Sequence, residues 1–235
     1  MSIKTIFFDL DGTLLPMDQE LFVKSYTKRL AKYMVPHGYD PQVLIKGLWD
    51  GTGAMIKNNG AATNETVFWN VFNAIVGFDA RKDLDKFDDF YRTDFQNAKE
   101  SCGFAPKAAD TVRRLRQRGF GVVLATNPLF PAIATESRIR WAGMESEDFD
   151  LYTTYEFCSY CKPSIAYYQE ILDKLGLNPE ECAMVGNDAD EDMIAEHLGM
   201  KTFLLTDCLI NRSGADVSRW PHGNFEALNT WLESL

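Results

Sequence analysis

Basic residues are in short supply. The chain has 24 Lys and Arg against 34 Asp and Glu, a formal net charge of −10. That balance argues against non-specific nucleic-acid binding, which depends on neutralising phosphates with Lys and Arg. Histidine is rarer still, and His37, His197 and His222 are unpaired in sequence and suggest nothing catalytic. The five cysteines are odd in number and scattered, which fits a reducing cytosol better than a disulfide framework. Cys158-Ser159-Tyr160-Cys161 has neither a second cysteine pair nor a nearby histidine to complete four zinc ligands. The apolar run in MSIKTIFFDL is far too short for a signal h-region or a membrane span. A cytoplasmic location with no membrane partner is therefore expected, and the sequons at Asn64 and Asn211 read as chance matches. No low-complexity tract interrupts a composition that is 46% apolar and 25% charged, that of a globular protein. A length of 235 residues allows one large domain or a core with a second, smaller unit.

What is present is an uneven distribution of strands. Residues 3–8 are apolar and β-branched or aromatic, which predicts a buried strand. The next comparable run, Gly121–Ala125, lies more than a hundred residues later. Leu21, Phe22, Tyr26, Leu30 and Tyr33 recur at helical spacing after Asp18, and Asp40-Pro41 reads as an N-cap followed by proline at the first helical position. Further helices are expected at about 65–76 and 82–98, with Gly51-Thr52-Gly53 and Asn58-Asn59-Gly60 as breaks. The Gly51–Gly53 segment is a candidate flexible bend. Lys24, Lys28 and Lys32 form a basic stripe, read as a solvated face.

From Pro106 onward helices and strands alternate. Helices are expected at 106–118, near 131–142, at 163–175 and near 190–198, and strands at 121–126, 182–185 and 202–205, with an apolar patch at 149–152. Such alternation implies crossover units and a mostly parallel sheet. The expected fold is α/β: an open parallel-sheet core from 1–15 and 104–235, with an all-helical unit of 16–103 inserted after the first strand.

Ligands of open parallel sheets bind at the carboxyl ends of the strands. Polar residues gather at those ends. Strand one runs IFFDLDGTL into Asp9 and Asp11, the strand at 121–126 ends at Thr126-Asn127, Lys162 precedes Pro163, and 182–185 ends in GNDADED. Two carboxylates at the end of a buried strand need neutralising, because unpaired buried charge costs several kcal/mol or more.

DLDGTL, ATN, CKP and GNDADED, in that order, resemble the four motifs of the haloacid dehalogenase superfamily, most of whose members are phosphohydrolases. The likeness spans residues 6 to 192, and the helical insert resembles the cap domain that members place between their first two motifs. It implies a Rossmann-like core and a phosphate monoester hydrolase acting on a small phosphorylated metabolite. Asp9 would be the nucleophile that forms an aspartyl-phosphate, and Asp11 the general acid and base. Gly12 would permit the turn between them and the rest of the loop. Thr126 and the backbone N–H of Asn127 would hold phosphate oxygens, and Lys162 would neutralise charge shared by Asp9 and the phosphate.

The implied cofactor is Mg²⁺, with the Asp9 side chain, the Asp11 carbonyl and a carboxylate of the fourth motif as ligands. By distance from Gly186, Asn187 fills the usual ligand slot; by chemistry, Asp188 is the better ligand. Asp188 is chosen as direct ligand and Asp192 as a ligand through water or one step removed, ahead of Asp190 and Glu191. A dehalogenase would not need Asp11. A phosphomutase would keep every motif, and a catalytically silent binding protein would be free to lose the nucleophile or the lysine.

Overall fold

In the computed structural model, which describes residues 2–235, the first strand, β1 (Thr5–Phe8), is buried along its whole length. Strand alternation sends Ile6 and Phe8 into one apolar cluster and Phe7 into another, so both faces of the sheet are covered. The chain then forms helices α1 (Gln19–Met34), α2 (Pro41–Ile56), α3 (Asn64–Val76) and α4 (Leu84–Arg92) and a 3-10 segment over Asp94–Ser101. Alternation follows: α5 (Pro106–Gln117), β2 (Gly121–Leu124), α6 (Ala132–Trp141), β3 (Leu151–Tyr152), α7 (Ile165–Leu175), β4 (Cys182–Gly186), β5 (Lys201–Leu205), β6 (His222–Gly223) and α8 (Phe225–Glu233).

The six strands form one sheet in the order β3-β2-β1-β4-β5-β6. Every pairing is parallel, with Phe8 opposite Leu124 on one side and Val185 on the other. The chain leaves β1 towards β2 and leaves β4 towards β5, so connections diverge between β1 and β4. That divergence opens a crevice at the strands' carboxyl ends. The insert's two connections meet beside it: Met17 bridges Cys102, and Gly103 N–H donates to the Pro16 carbonyl at 2.6 Å.

Local sequence explains the helix starts. The Asp18 side chain caps α1 through the Leu21 N–H at 3.0 Å. Asp40 caps α2 through the N–H groups of Gln42 and Val43, both at 2.9 Å, with Pro41 in the first turn. Three expectations need correction. The Gly51-Thr52-Gly53 break is absent, for these residues lie inside α2. Gly47 and Gly51, one turn apart, open a groove on α2 that takes Phe72 and Phe68 of α3; a Cβ on Gly51 would stand 2.7 Å from the Phe68 ring. Close packing thus overrides the low helix propensity of glycine. The helix expected at 82–98 ends at Arg92 and resumes as the 3-10 segment, Thr93 having left helical geometry at φ −117°, ψ −88°. The helix expected near 190–198 is a 3-10 segment over Met193–Leu198.

The α2–α3 packing carries a stability prediction. Gly51→Val overfills the contact and is expected to lower unfolding free energy by about 1–3 kcal/mol. Gly53, whose added Cβ would meet nothing within 4 Å, is expected on Gly53→Ala to gain up to about 1 kcal/mol. Urea titrations followed by circular dichroism compare the two; equal losses would contradict the packing account.

Candidate active site

Charge is buried in one place. Among the described residues the buried Asp, Glu, Lys, Arg and His side chains are Asp9, Arg138, Lys162, Asp188 and Asp192, and all stand at or next to the crevice. Asp9 continues β1 by one rung, its N–H donating to the Val185 carbonyl at 2.9 Å. The chain then turns sharply: Gly12 has φ +92°, its N–H donates to the Leu15 carbonyl at 2.8 Å, and the Leu15 N–H returns to the Leu10 carbonyl at 2.8 Å. Only glycine fits there, because a Cβ would stand 2.4 Å from Asn187 Nδ2.

Lys162 is the centre of the site. It is 1% exposed and its ammonium donates to Asp9 Oδ1 at 2.9 Å and to Asp192 Oδ1 at 2.6 Å. Burial works against the charged amine, but the Asp192 and Asp9 carboxylates outweigh it and hold Lys162 protonated well above its ordinary range. Asp192 also accepts from the Asp188 N–H through Oδ2 at 3.0 Å. This carboxylate folds back on its own strand end, and a Cβ at Gly186 would lie 2.1 Å from it.

Asn127 ties three loops together. Its Oδ1 accepts from the Lys162 N–H at 3.3 Å, and its Nδ2 donates to the Lys162 carbonyl at 3.5 Å and to Glu191 Oε2 at 3.2 Å. The neighbouring Thr126 is buried, with its carbonyl accepting from Thr153 Oγ1 at 2.6 Å and Tyr167 Oη at 2.8 Å. The structure thus brings Asp9, Thr126, Asn127, Lys162 and Asp192 to one crevice. Asp188 is turned into its own loop instead. Its Oδ1 accepts from the N–H groups of Asp190 and Glu191 at 2.9 and 3.0 Å, and its Oδ2 from Arg212 at 2.8 Å. The side chain that faces the Asp-Gly turn is that of Asn187, whose Oδ1 accepts from Thr13 Oγ1 at 2.9 Å and whose Nδ2 donates to the Cys208 carbonyl at 2.7 Å.

Two participants went unnoticed in the sequence. Arg138, on α6, is fully buried and pairs with Asp11. Burial pushes the Asp11 carboxyl above its ordinary range, with Arg138 pulling the other way. An arginine one turn from Ala134 on the buried side of α6 was the available signal. Asn64, at the start of α3, is also fully buried, and its Nδ2 donates to the Tyr160 carbonyl at 3.2 Å and to Cys161 Sγ at 3.3 Å. It presses the helical insert onto the loop that carries Lys162. Cys158 and Cys161 are free and buried, and burial pushes the Cys158 thiol up to about 12, which removes any thiolate at neutral pH.

An open parallel sheet with a buried lysine shared by two carboxylates at its crevice offers an anionic group a fixed positive charge at the carboxyl ends of the strands. The profile of the haloacid dehalogenase-like hydrolases matches residues 3–195, and the chain belongs to that family. It is a phosphoric ester hydrolase of that family. It is 27% identical over 209 residues to the phosphoglycolate phosphatase of Aliivibrio fischeri, covering 87% of this chain and 84% of that one. It is 24% identical over 213 residues to pyrophosphatase PpaX of Bacillus cereus (strain AH820), covering 91% and 88%. The fold is shared with the family enzyme BT-2542 of Bacteroides thetaiotaomicron, solved with magnesium and inorganic phosphate, at TM-score 0.54, 18% identity and coverage of 93% and 98%. No helix among the described residues is long and apolar enough to cross a membrane.

Lys162 makes a direct stability prediction. Lys162→Met leaves two buried carboxylates without their cation and is expected to cost about 3–5 kcal/mol in chemical unfolding. Lys162→Met combined with Asp192→Asn should recover part of that loss; strict additivity of the two changes would show that the pair is not coupled.

Proposed function

We propose that the protein is a magnesium-dependent phosphatase that cleaves a small phosphate monoester through an aspartyl-phosphate on Asp9. The observation that carries this reading is the shared lysine: Lys162 donates to Asp9 Oδ1 at 2.9 Å and fixes that carboxylate at the end of β1. In this scheme a carboxylate oxygen of Asp9 attacks phosphorus while the bond to the leaving oxygen breaks, and Asp11 gives that oxygen its proton. Asp11 then takes a proton from the water that attacks the phosphorus of the acyl phosphate. Phosphate leaves and Asp9 is restored. Thr126 and the Asn127 backbone N–H bind phosphoryl oxygens, Lys162 offsets their charge, and Asp192 orients Lys162.

The donor chemistry suits a hard cation. Asp9 uses one carboxylate oxygen, Oδ1, on Lys162. The Asp9 carboxylate, the Asp11 carbonyl and Asn187 Oδ1 would hold magnesium, in preference to Asp188, whose two oxygens serve its own loop and Arg212. When bound, magnesium supplies positive charge to the phosphoryl oxygens.

The helical segment 16–103 acts as a cap over a core of 1–15 and 104–235. The paired crossings at Pro16–Met17 and Cys102–Gly103 support that division. A cap held down by Asn64 favours small substrates and excludes bulk water. Phosphoglycolate and pyrophosphate are the first compounds to test, because relatives at 27% and 24% identity carry those names. Five free cysteines suit work in the reducing cytoplasm. Mutase and silent-binding readings gain no specific observation.

Phosphate release from p-nitrophenyl phosphate and a metabolite panel tests the reading. Wild type with Mg²⁺ should turn over, EDTA should abolish release, and Asp9→Asn should lower it by about 10³-fold or more. Activity indifferent to both EDTA and Asp9→Asn would refute the scheme.

A further inference from the structure

Arg138 is a buried charge with no part in the scheme above. Its guanidinium lies 4.4 Å over the Phe130 ring, its Nη2 donates to Thr135 Oγ1 at 3.3 Å, and its Nε donates to the Ala134 carbonyl at 3.4 Å. Its Nη1 pairs with Asp11 Oδ2, the one carboxylate partner it has among the described residues. Removing a guanidinium from water costs several kcal/mol unless it is paired, so its place is tied to that of Asp11. The ring beneath it is itself packed, with Phe130 and Tyr26 centroids 5.2 Å apart. The helix that carries it is clamped by the insert. Gln96 Nε2 donates to Ser137 Oγ at 2.9 Å and Trp141 Nε1 donates to Gln96 Oε1 at 3.1 Å, on either side of Arg138. A guanidinium locked from this many sides has little freedom to follow a moving partner. Only Oδ2 of Asp11 is engaged; Oδ1 is buried and has no partner.

We propose that Arg138 is a positioning residue for the reaction: it pins Oδ2 of Asp11 and thereby presents Oδ1 for proton exchange with the leaving oxygen and the attacking water. This rests on the reading of Asp11 as general acid and base. A guanidinium that merely stabilised the fold would slow all substrates alike or none. A positioning role separates the two halves of the reaction, because a good leaving group needs little protonation while hydrolysis of the acyl phosphate still needs the base.

The experiment compares wild type, Arg138→Met, Arg138→Lys and Asp11→Asn on p-nitrophenyl phosphate and glycerol 3-phosphate with Mg²⁺. In Arg138→Met, glycerol 3-phosphate turnover is expected to fall about 10–100-fold, within the range of general acid–base contributions. With p-nitrophenyl phosphate the same variant should release about one p-nitrophenolate per enzyme in a rapid burst before slow turnover, as expected when only the second step is impaired. Arg138→Lys, which keeps the charge and loses the fork, should fall between. Equal losses on both substrates without a burst, in folded variants, would overturn the proposal.

If Arg138→Met fails to fold, Asp11→Asn/Arg138→Met removes the buried pair as a unit. Turnover equal to that of Asp11→Asn alone supports the proposal, and multiplied losses overturn it. An unimpaired Asp11→Asn would sink the general acid–base reading and this proposal together. An impaired Asp11→Asn beside unimpaired Arg138 variants would sink this proposal alone.

Discussion

One ammonium shared by two carboxylates organises the crevice. Lys162 enters from the loop before α7, Asp9 from the end of β1 and Asp192 from the loop after β4, and all three are nearly closed to water. Charges so placed need one another, since a low-dielectric surrounding makes an unpaired one expensive. The need propagates outward. Asp192 reaches the lysine by bending back over a strand end that must be glycine, Gly186. Asn127 bridges the Lys162 backbone and Glu191, so the three loops hold a common register. The sheet sets where the strands end, and the ion pairs set how the loops leave them.

The buried charges are of both signs, three acids (Asp9, Asp188 and Asp192) beside two bases. The chain is acidic overall, yet its two fully buried cations, Lys162 and Arg138, both stand behind the aspartates of the first strand. Fixed positive charge with little solvent around it acts on an incoming anion far more strongly than surface lysines do.

Sequence periodicity and strand-end chemistry reached the parallel core, the inserted helices and the residues that meet around Lys162, because those features are local: an apolar run, a cap, a carboxylate after a strand. What escaped notice depends on partners distant in the chain. Arg138 looks like any helix arginine until α6 docks and Asp11, 127 residues away, comes alongside. Asn64 looks like a helix start until its amide meets Tyr160 and Cys161. Gly51 reads as a break until Phe68 fills the space it leaves. Asp188 and Asn187 differ by one position, and only the turn of the loop decides which of them faces Gly12. The short strand β6, two residues long, carries no apolar run to announce it.

The meeting of Pro16 with Gly103 and of Met17 with Cys102 has a wider consequence. To the sheet, everything between those residues is a single loop whose ends touch. The entropy of closing a loop grows only slowly with its length, so closure itself sets little limit on the insert's length, while Asn64 and Gln96 tie the insert to the Lys162 loop and to α6. The helices between those residues can therefore lengthen or shorten without moving the points at which the chain leaves and rejoins the sheet.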